Sequence, residues 1–535
     1  MSQAQSSPNL ESLSIDEPQT NAVQWALGGT VDGDEQILID AERSARSISK
    51  RKAIELVSSL AGAFEEGSVV CVHAANDVLY PILVLAILAS GCIYTGSNPV
   101  YTQRELKHHL DVSEARYVVT TTDLLKHVAP VVGELGGKAE VSIFSDLFKD
   151  SAPANETYRT LHDLKKPANV SDLSNRLAEL SLDATATLMA TSGSTGLPKL
   201  AARSHSALLA EAKAIASRTS NTSYSVRKLI CLPIYHAFAF PETVFTTLRL
   251  GQPTYILKRF GDAFSYRIRD HQITDVLTLP SMLLELAESA EQDIDIKADL
   301  QTLRTVYCGG APLVEELKER FLGLFYETPR LVNVYGMTEC GWIAMSDGEQ
   351  SENRRCVGSA LEGLEIRLNE RAALTLDGGR EVGELSVMGN QIMTAYKNGS
   401  AAIKVAITQC DWLRTGDIGY LEDDKVYLVD RAKTIIKIDG FAVSPTEFEY
   451  TIRELSPVQD VAVISSGPDS VDEHPIIFIA RKEGEGELTN SQVRQHLTGR
   501  LSRYKVAKCR IRFVEKISRG KDGEALREEL RKTLM

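Results

Sequence analysis

The sequence predicts an α/β protein. A large N-terminal domain of parallel sheets, covering helices and an added antiparallel β region is followed by a small α+β C-terminal domain. Three observations predict it. Strand-like apolar runs alternate with helical patterns from Val69 onward; short strands separated by turn residues take over after about Leu361; and a mixed strand–helix pattern returns from Val461. A chain of 535 residues also exceeds what one ordinary core can hold, so at least two domains are required.

The elements follow in order. Val69–His73 reads as a strand before a helix over Val78–Ala89, and Tyr117–Thr121 as a strand before a helix over Asp123–Leu135. Lys228–Leu232 and Asp275–Thr278 are strand-like, the second leading into a helix over Ser281–Ser289. Thr305–Cys308 is followed by a turn at Gly309–Pro312 and a helix through Leu322, with Gly323 as its stop. Glu365–Leu368, Gly383–Val387 and Lys425–Leu428 make the antiparallel region. Val461–Ser465, Ile476–Arg481, a helix over Asn490–Leu501 and Lys508–Val514 make the last unit. The expected division is a flexible tail over 1–20, a large domain over 21–430 and a small domain over 431–535.

Bulk properties exclude several classes. Hydrophobic residues at 43% and charged residues at 24% give an ordinary globular composition, not a disordered one. A net charge of -13 leaves no excess of cations to neutralise a nucleic acid, although a nucleotide needs only a few local donors. The eight cysteines stand singly, without a CxxC pair or zinc spacing, as expected of reduced thiols in the cytoplasm. The polar, acidic N-terminus lacks the pattern of a signal peptide, and the final Lys-Thr-Leu-Met lacks the peroxisomal tripeptide. The apolar run Leu79–Tyr94 is interrupted by Pro81 and Ser90 and is short for a bilayer, so it reads as a buried helix and no membrane span is expected.

One segment carries phosphate chemistry on its face: Thr191, Ser192, Gly193, Ser194, Thr195, Gly196, Leu197, Pro198 and Lys199. Glycines permit tight turns with exposed N–H groups, and hydroxyls and a lysine add donors for phosphate oxygens. It is not a Walker loop, because the spacing differs and Pro198 precedes the lysine. A plain Ser/Gly surface loop is the competing reading.

This segment resembles the phosphate loop of the adenylate-forming superfamily of acyl-CoA synthetases, 4-coumarate–CoA ligases and luciferases. Three further stretches follow in that family's order: Tyr335-Gly336-Met337-Thr338-Glu339, Trp412 to Asp417, and Asp430 to Lys433 continuing through Ile436 to Gly440. The resemblance implies an ATP-dependent ligase that joins a small carboxylic acid to AMP and passes the acyl group to coenzyme A. A separate carrier protein or an amine is the alternative acceptor, and an adenylation-impaired nucleotide or acyl-AMP binding protein the alternative class. It implies that Ser192, Ser194, Thr195 and Lys199 hold the β- and γ-phosphates, that Thr338 meets the α-phosphate and that Glu339 ligates Mg²⁺. Asp417 and Arg431 would bind the ribose, and Tyr335, Asn333, Gly309, Gly310 and Ala311 the adenine. His236 would border the carboxylate entrance, and Phe238, Glu242, Gly309, Gly336, Cys340 and Trp342 would line or close the acyl pocket. Glu242 either faces outward or meets a polar group of the acid, because an unpaired buried carboxylate is costly.

The same resemblance makes the C-terminal domain mobile, with Lys433 as its hinge and Lys437 and Gly440 facing the site during thiol transfer. Thr434 and Leu200 depart from the family pattern. At the C-terminal motif, ungapped alignment puts Glu524 where the family has its catalytic lysine, whereas a shift of three residues puts Lys521 there. Three residues of extended chain span ~10 Å, within reach of a long side chain on a glycine-bearing loop. Lys521 is the expected catalytic lysine.

Overall fold

The computed structural model describes the whole chain except residues 1–19, 30–32, 150–156, 192–198, 314, 349–355, 376–380, 398–406, 408–409, 432–435, 439–440, 444, 467–473, 483, 485–487, 502, 520–524 and 535. Contacts divide it into two compact units. One holds Met1–Gln350, Leu361–Leu364 and Gly389–Val405; the other holds Ser351–Ala360, Glu365–Met388 and Ala406–Met535. Residues 406–430 fall with the C-terminal segment in this division, whereas the sequence reading cuts at an expected hinge.

The first unit holds two sheets. One has the spatial order Ala395–Tyr396, Leu200–Ser204, Thr185–Ala190, Ile93–Gly96, Val69–His73, Tyr117–Thr120, Glu140–Ile143 and Arg159–Thr160. Its first two pairings are antiparallel and all the others parallel. In the other sheet the parallel strands are Arg330–Met337, Thr305–Gly309, Asp275–Thr278, Lys228–Ile230, Thr254–Ile256 and Gln36–Asp40. Gly341–Met345 and Ser47–Ser49 flank these six in antiparallel fashion.

The apolar run at Leu79–Tyr94 forms the helix Tyr80–Ala89, buried on every face. Pro81 lies in its first turn, where a missing N–H leaves no intrahelical bond unmade. The neighbouring helix Lys50–Leu60 buries Lys50, whose ammonium donates to the carbonyls of Ala26, Gly28 and Leu248 at 2.8, 2.7 and 2.6 Å. Among the described residues no helix is long and apolar enough to cross a membrane.

In the second unit, Leu364–Thr375, Glu381–Gly389, Leu413–Glu422, Lys425–Arg431 and Cys356–Ala360 neighbour one another in that order. The C-terminal part pairs Val458–Ser465 antiparallel, and Arg510–Val514 parallel, to Pro475–Arg481. Strand alternation decides its packing: Val461, Val463, Ile477 and Ile479 join Phe448, Val493 and Leu497 on one face. Ala462, Ile464 and Phe478 join Ile517 and Leu530 on the other, so both faces of the sheet are covered.

Candidate active site

Loops beyond the carboxyl ends of adjacent parallel strands converge, which makes that edge the usual ligand site of an open α/β sheet. Here the edge carries three of the segments singled out above. Pro233–Phe238 follows the strand Lys228–Ile230, Gly309–Ala311 ends Thr305–Gly309, and Asn333–Met337 ends the neighbouring Arg330–Met337. A Cβ at Gly309 would lie 2.8 Å from the Val334 carbonyl and 3.1 Å from the Phe238 ring, so only glycine lets that ring lie against the strand. Gly310 follows in the left-handed region at φ +79. Phe238 faces Trp342 with ring centroids 5.3 Å apart, and the Trp342 indole N–H donates to the Phe238 carbonyl at 2.9 Å.

Thr338, Glu339 and Cys340 form the turn between Arg330–Met337 and the antiparallel Gly341–Met345, closed by Cys340 N–H to Met337 O at 3.1 Å. Gly336 is needed for this close pairing, because a Cβ there would sit 2.4 Å from the Gly341 carbonyl. Behind the turn, buried Arg203 donates to Glu211 at 2.7 Å, and Glu211 accepts the Trp342 backbone N–H at 2.9 Å. Gln391 donates to the Cys340 carbonyl at 3.0 Å. Burial pushes the Cys340 thiol up to about 12, which leaves it an inert wall residue.

The phosphate segment is the connection of a β-hairpin. Thr185–Ala190 and Leu200–Ser204 are antiparallel, Ala190 faces Leu200, and Thr191 N–H donates to Lys199 O at 2.9 Å. Ser192, Gly193, Ser194, Thr195 and Gly196 lie outside the described residues. A strand–loop–strand topology separates this site from the strand–loop–helix of a Walker loop.

The partner strand Ala395–Tyr396, missed in the sequence, brings the hairpin to the Glu339 turn. Met393 N–H donates to Glu339 O at 2.7 Å, and Thr394 and Lys397 N–H donate to Ala202 and Leu200 carbonyls at 2.8 Å each. The Tyr396 hydroxyl donates to Glu339 Oε1 at 2.6 Å, and Lys199 Nζ lies 5.1 Å from the centre of the Tyr396 ring. Burial, then the Glu339 charge, hold the Tyr396 phenol well above its ordinary pKa. No cluster of three metal-ligating side chains occurs among the described residues. Glu339 offers a carboxylate oxygen, the hard donor type that Mg²⁺ prefers.

His236 is solvent-accessible yet enclosed by protein, and that enclosure lowers its imidazole pKa. Its Nδ1 accepts the Phe238 N–H at 3.4 Å, which places the proton of the neutral ring on Nε2. Glu242 takes neither course expected of it. It is buried in the π-helical turn Glu242–Thr246, where it forms an ion pair with equally buried Lys228. The partner is thus the protein's own lysine.

The remaining predicted residues belong to the second unit. Asp417 is half-buried on the strand Leu413–Glu422 opposite Arg431, and its N–H donates to Thr415 Oγ1 at 3.1 Å. The Arg431 and Lys437 side chains, together with Lys433, Gly440, Lys521 and Glu524, lie outside the described residues. Lys437 is on the strand Ile436–Ile438, paired with Ala442. Arg519 and Ala525, on either side of 520–524, bridge each other, and Arg519 is held by Asp460 at 2.5 and 2.8 Å.

An acyl-CoA ligase of a Phoma species is 41% identical to this chain and covers 96% of each sequence. A phenylacetyl-CoA ligase of Aspergillus niger is 32% identical and covers 97% of each. Among solved structures, ATP-bound MatB of Rhodopseudomonas palustris matches with a TM-score of 0.76 at 22% identity over 96% of this chain and 99% of that one, a likeness of fold. Residues 30–397, well over half the chain, match the family described as AMP-binding enzyme. The hairpin loop, the Thr338–Glu339 turn and the carboxyl-edge glycines all lie inside that span, and this chain belongs to the AMP-binding enzyme family.

Proposed function

We propose that this chain is an ATP-dependent acyl-CoA ligase that activates a small carboxylic acid as its acyl-adenylate and transfers the acyl group to coenzyme A. The observation that carries this reading is the full-length likeness to an acyl-CoA ligase at 41% identity. In the first half-reaction a carboxylate oxygen bonds to the α-phosphorus of ATP and pyrophosphate leaves. Two anions must approach, so the site has to supply oriented donors and positive charge. Lys199 and the loop hydroxyls hold the departing phosphates, Thr338 meets the α-phosphate, and neutral His236 offers Nε2–H beside the carboxylate entrance. Glu339 would hold Mg²⁺, whose charge offsets that of the phosphates when bound. Asp417 and Arg431 hold the ribose, and Tyr335 and Gly309–Ala311 border the base.

In the second half-reaction the sulfur of coenzyme A bonds to the acyl carbon and AMP leaves. Lys437 and Gly440 serve this step after the C-terminal domain turns about Lys433. Lys521 is the lysine we assign to the first step. A panel of carboxylic acids with ATP, Mg²⁺ and coenzyme A, scored by pyrophosphate and by thioester mass, tests the activity; silence in both, from folded protein that binds ATP, removes it. AMP release that depends on free coenzyme A separates this reading from loading of a carrier protein. Lys521→Ala should abolish pyrophosphate exchange and Glu524→Ala should leave most of it. Unchanged exchange in Lys521→Ala removes Lys521 from this role, and a gain of exchange in Glu524→Ala would mean that its carboxylate opposes the two anions instead.

A further inference from the structure

Lys199 and Glu339 carry opposite charges in one unit, yet they do not pair with each other; Tyr396 meets both of them. Its hydroxyl donates to Glu339 Oε1 at 2.6 Å, and its ring lies 5.1 Å from Lys199 Nζ. Its backbone is fixed independently, because Ala395 and Tyr396 pair with Ala202 and Ala201, and Met393 N–H binds the Glu339 carbonyl at 2.7 Å. A tyrosine in this place does what neither a charged nor an aliphatic residue could. A phenol fixes one carboxylate oxygen without cancelling the charge that a cation needs, whereas a lysine or arginine would neutralise it. The aromatic face attracts the ammonium by its quadrupole without neutralising it, so Lys199 keeps its charge and N–H donors for phosphate oxygens. A direct Lys199–Glu339 ion pair would occupy both groups before the nucleotide arrived.

We propose that Tyr396 is a positioning residue of the nucleotide site, a neutral spacer that orients Glu339 for its cation and steadies Lys199 for phosphate while keeping the two from pairing. This rests on the ligase reading above and adds to it a residue outside the motifs that suggested it. The test is calorimetric titration of ATP at a series of Mg²⁺ concentrations, with neither acid nor coenzyme A present so that nothing turns over. Tyr396→Phe keeps the ring and loses the hydroxyl. It should raise the Mg²⁺ concentration for half-saturation by about tenfold, the size expected for one charge-assisted hydrogen bond, while ATP binding without Mg²⁺ and the KM for the acid stay within about twofold. Tyr396→Leu loses both contacts and should weaken ATP binding with and without Mg²⁺. A Tyr396→Phe protein that follows the parent at every Mg²⁺ concentration overturns the proposal, and that variant decides alone should Tyr396→Leu fail to fold. Failure of the unaltered protein to bind ATP with Mg²⁺ overturns the ligase reading itself.

Discussion

At the scale of single residues, the chemistry of Lys228 and Glu242 is set by burial: each side chain is 1% exposed, and each is the counter-ion of the other. Removing one partner leaves an uncompensated charge in the core, at a cost of about 3–5 kcal/mol. Lys228→Met or Glu242→Leu alone should therefore lower the urea midpoint sharply, and the double variant should recover most of the loss. Equal loss in the double variant would mean that the pair is not the source of the effect. The sequence exposed the problem, a glutamate in an apolar run, but not its solution. The partner lies 14 residues back, on a strand whose inward face cannot be told from its outward face without the neighbouring helix.

Elements show a different pattern of legibility. The strands Val69–His73, Asp275–Thr278 and Thr305–Gly309 were readable because β-branched and apolar runs bounded by turn residues mark them locally. The hairpin around residues 191–199 was not, because antiparallel pairing of Leu200–Ser204 is decided by register with a strand on the far side of the loop. Tyr396 was invisible for the same reason: its place follows from pairing with Ala201, far away in sequence. The turn at Thr338–Cys340 depends on its support from behind. Gly341 sits at φ +80, and a Cβ there would lie 2.0 Å from Glu211 Oε1. Gly341→Ala should displace Glu211 from Arg203 and from the Trp342 N–H, so both stability and acid selectivity should change. Melting and acid-panel measurements identical to the parent's would show that the turn tolerates the shift.

For the molecule as a whole, buried neutral groups define a pH window. Burial lowers the imidazoles of His73, His109 and His205 from 6.5 to about 4, so the unfolded chain binds more protons than the native one between those values. Stability from these groups is complete above 6.5 and is lost as pH falls through 4. The thiols of Cys71, Cys308 and Cys340 are raised from 9.0 to about 12, so the native chain keeps protons that the unfolded chain has released, and stability falls as pH rises above 9.0. Buried Lys50, lowered from 10.5 to about 7, works against the thiols on the alkaline side, so the acid side carries the test: urea midpoints should fall as pH drops from 6.5 towards 4, and a midpoint that holds across that range would contradict the burial of the imidazoles. The closed hairpin has a consequence of another kind. Since Thr191 N–H binds the Lys199 carbonyl and Ala190 faces Leu200, the two ends of the phosphate segment are held one strand spacing apart, and a substitution that unpairs these strands would reach the nucleotide without touching a single phosphate donor.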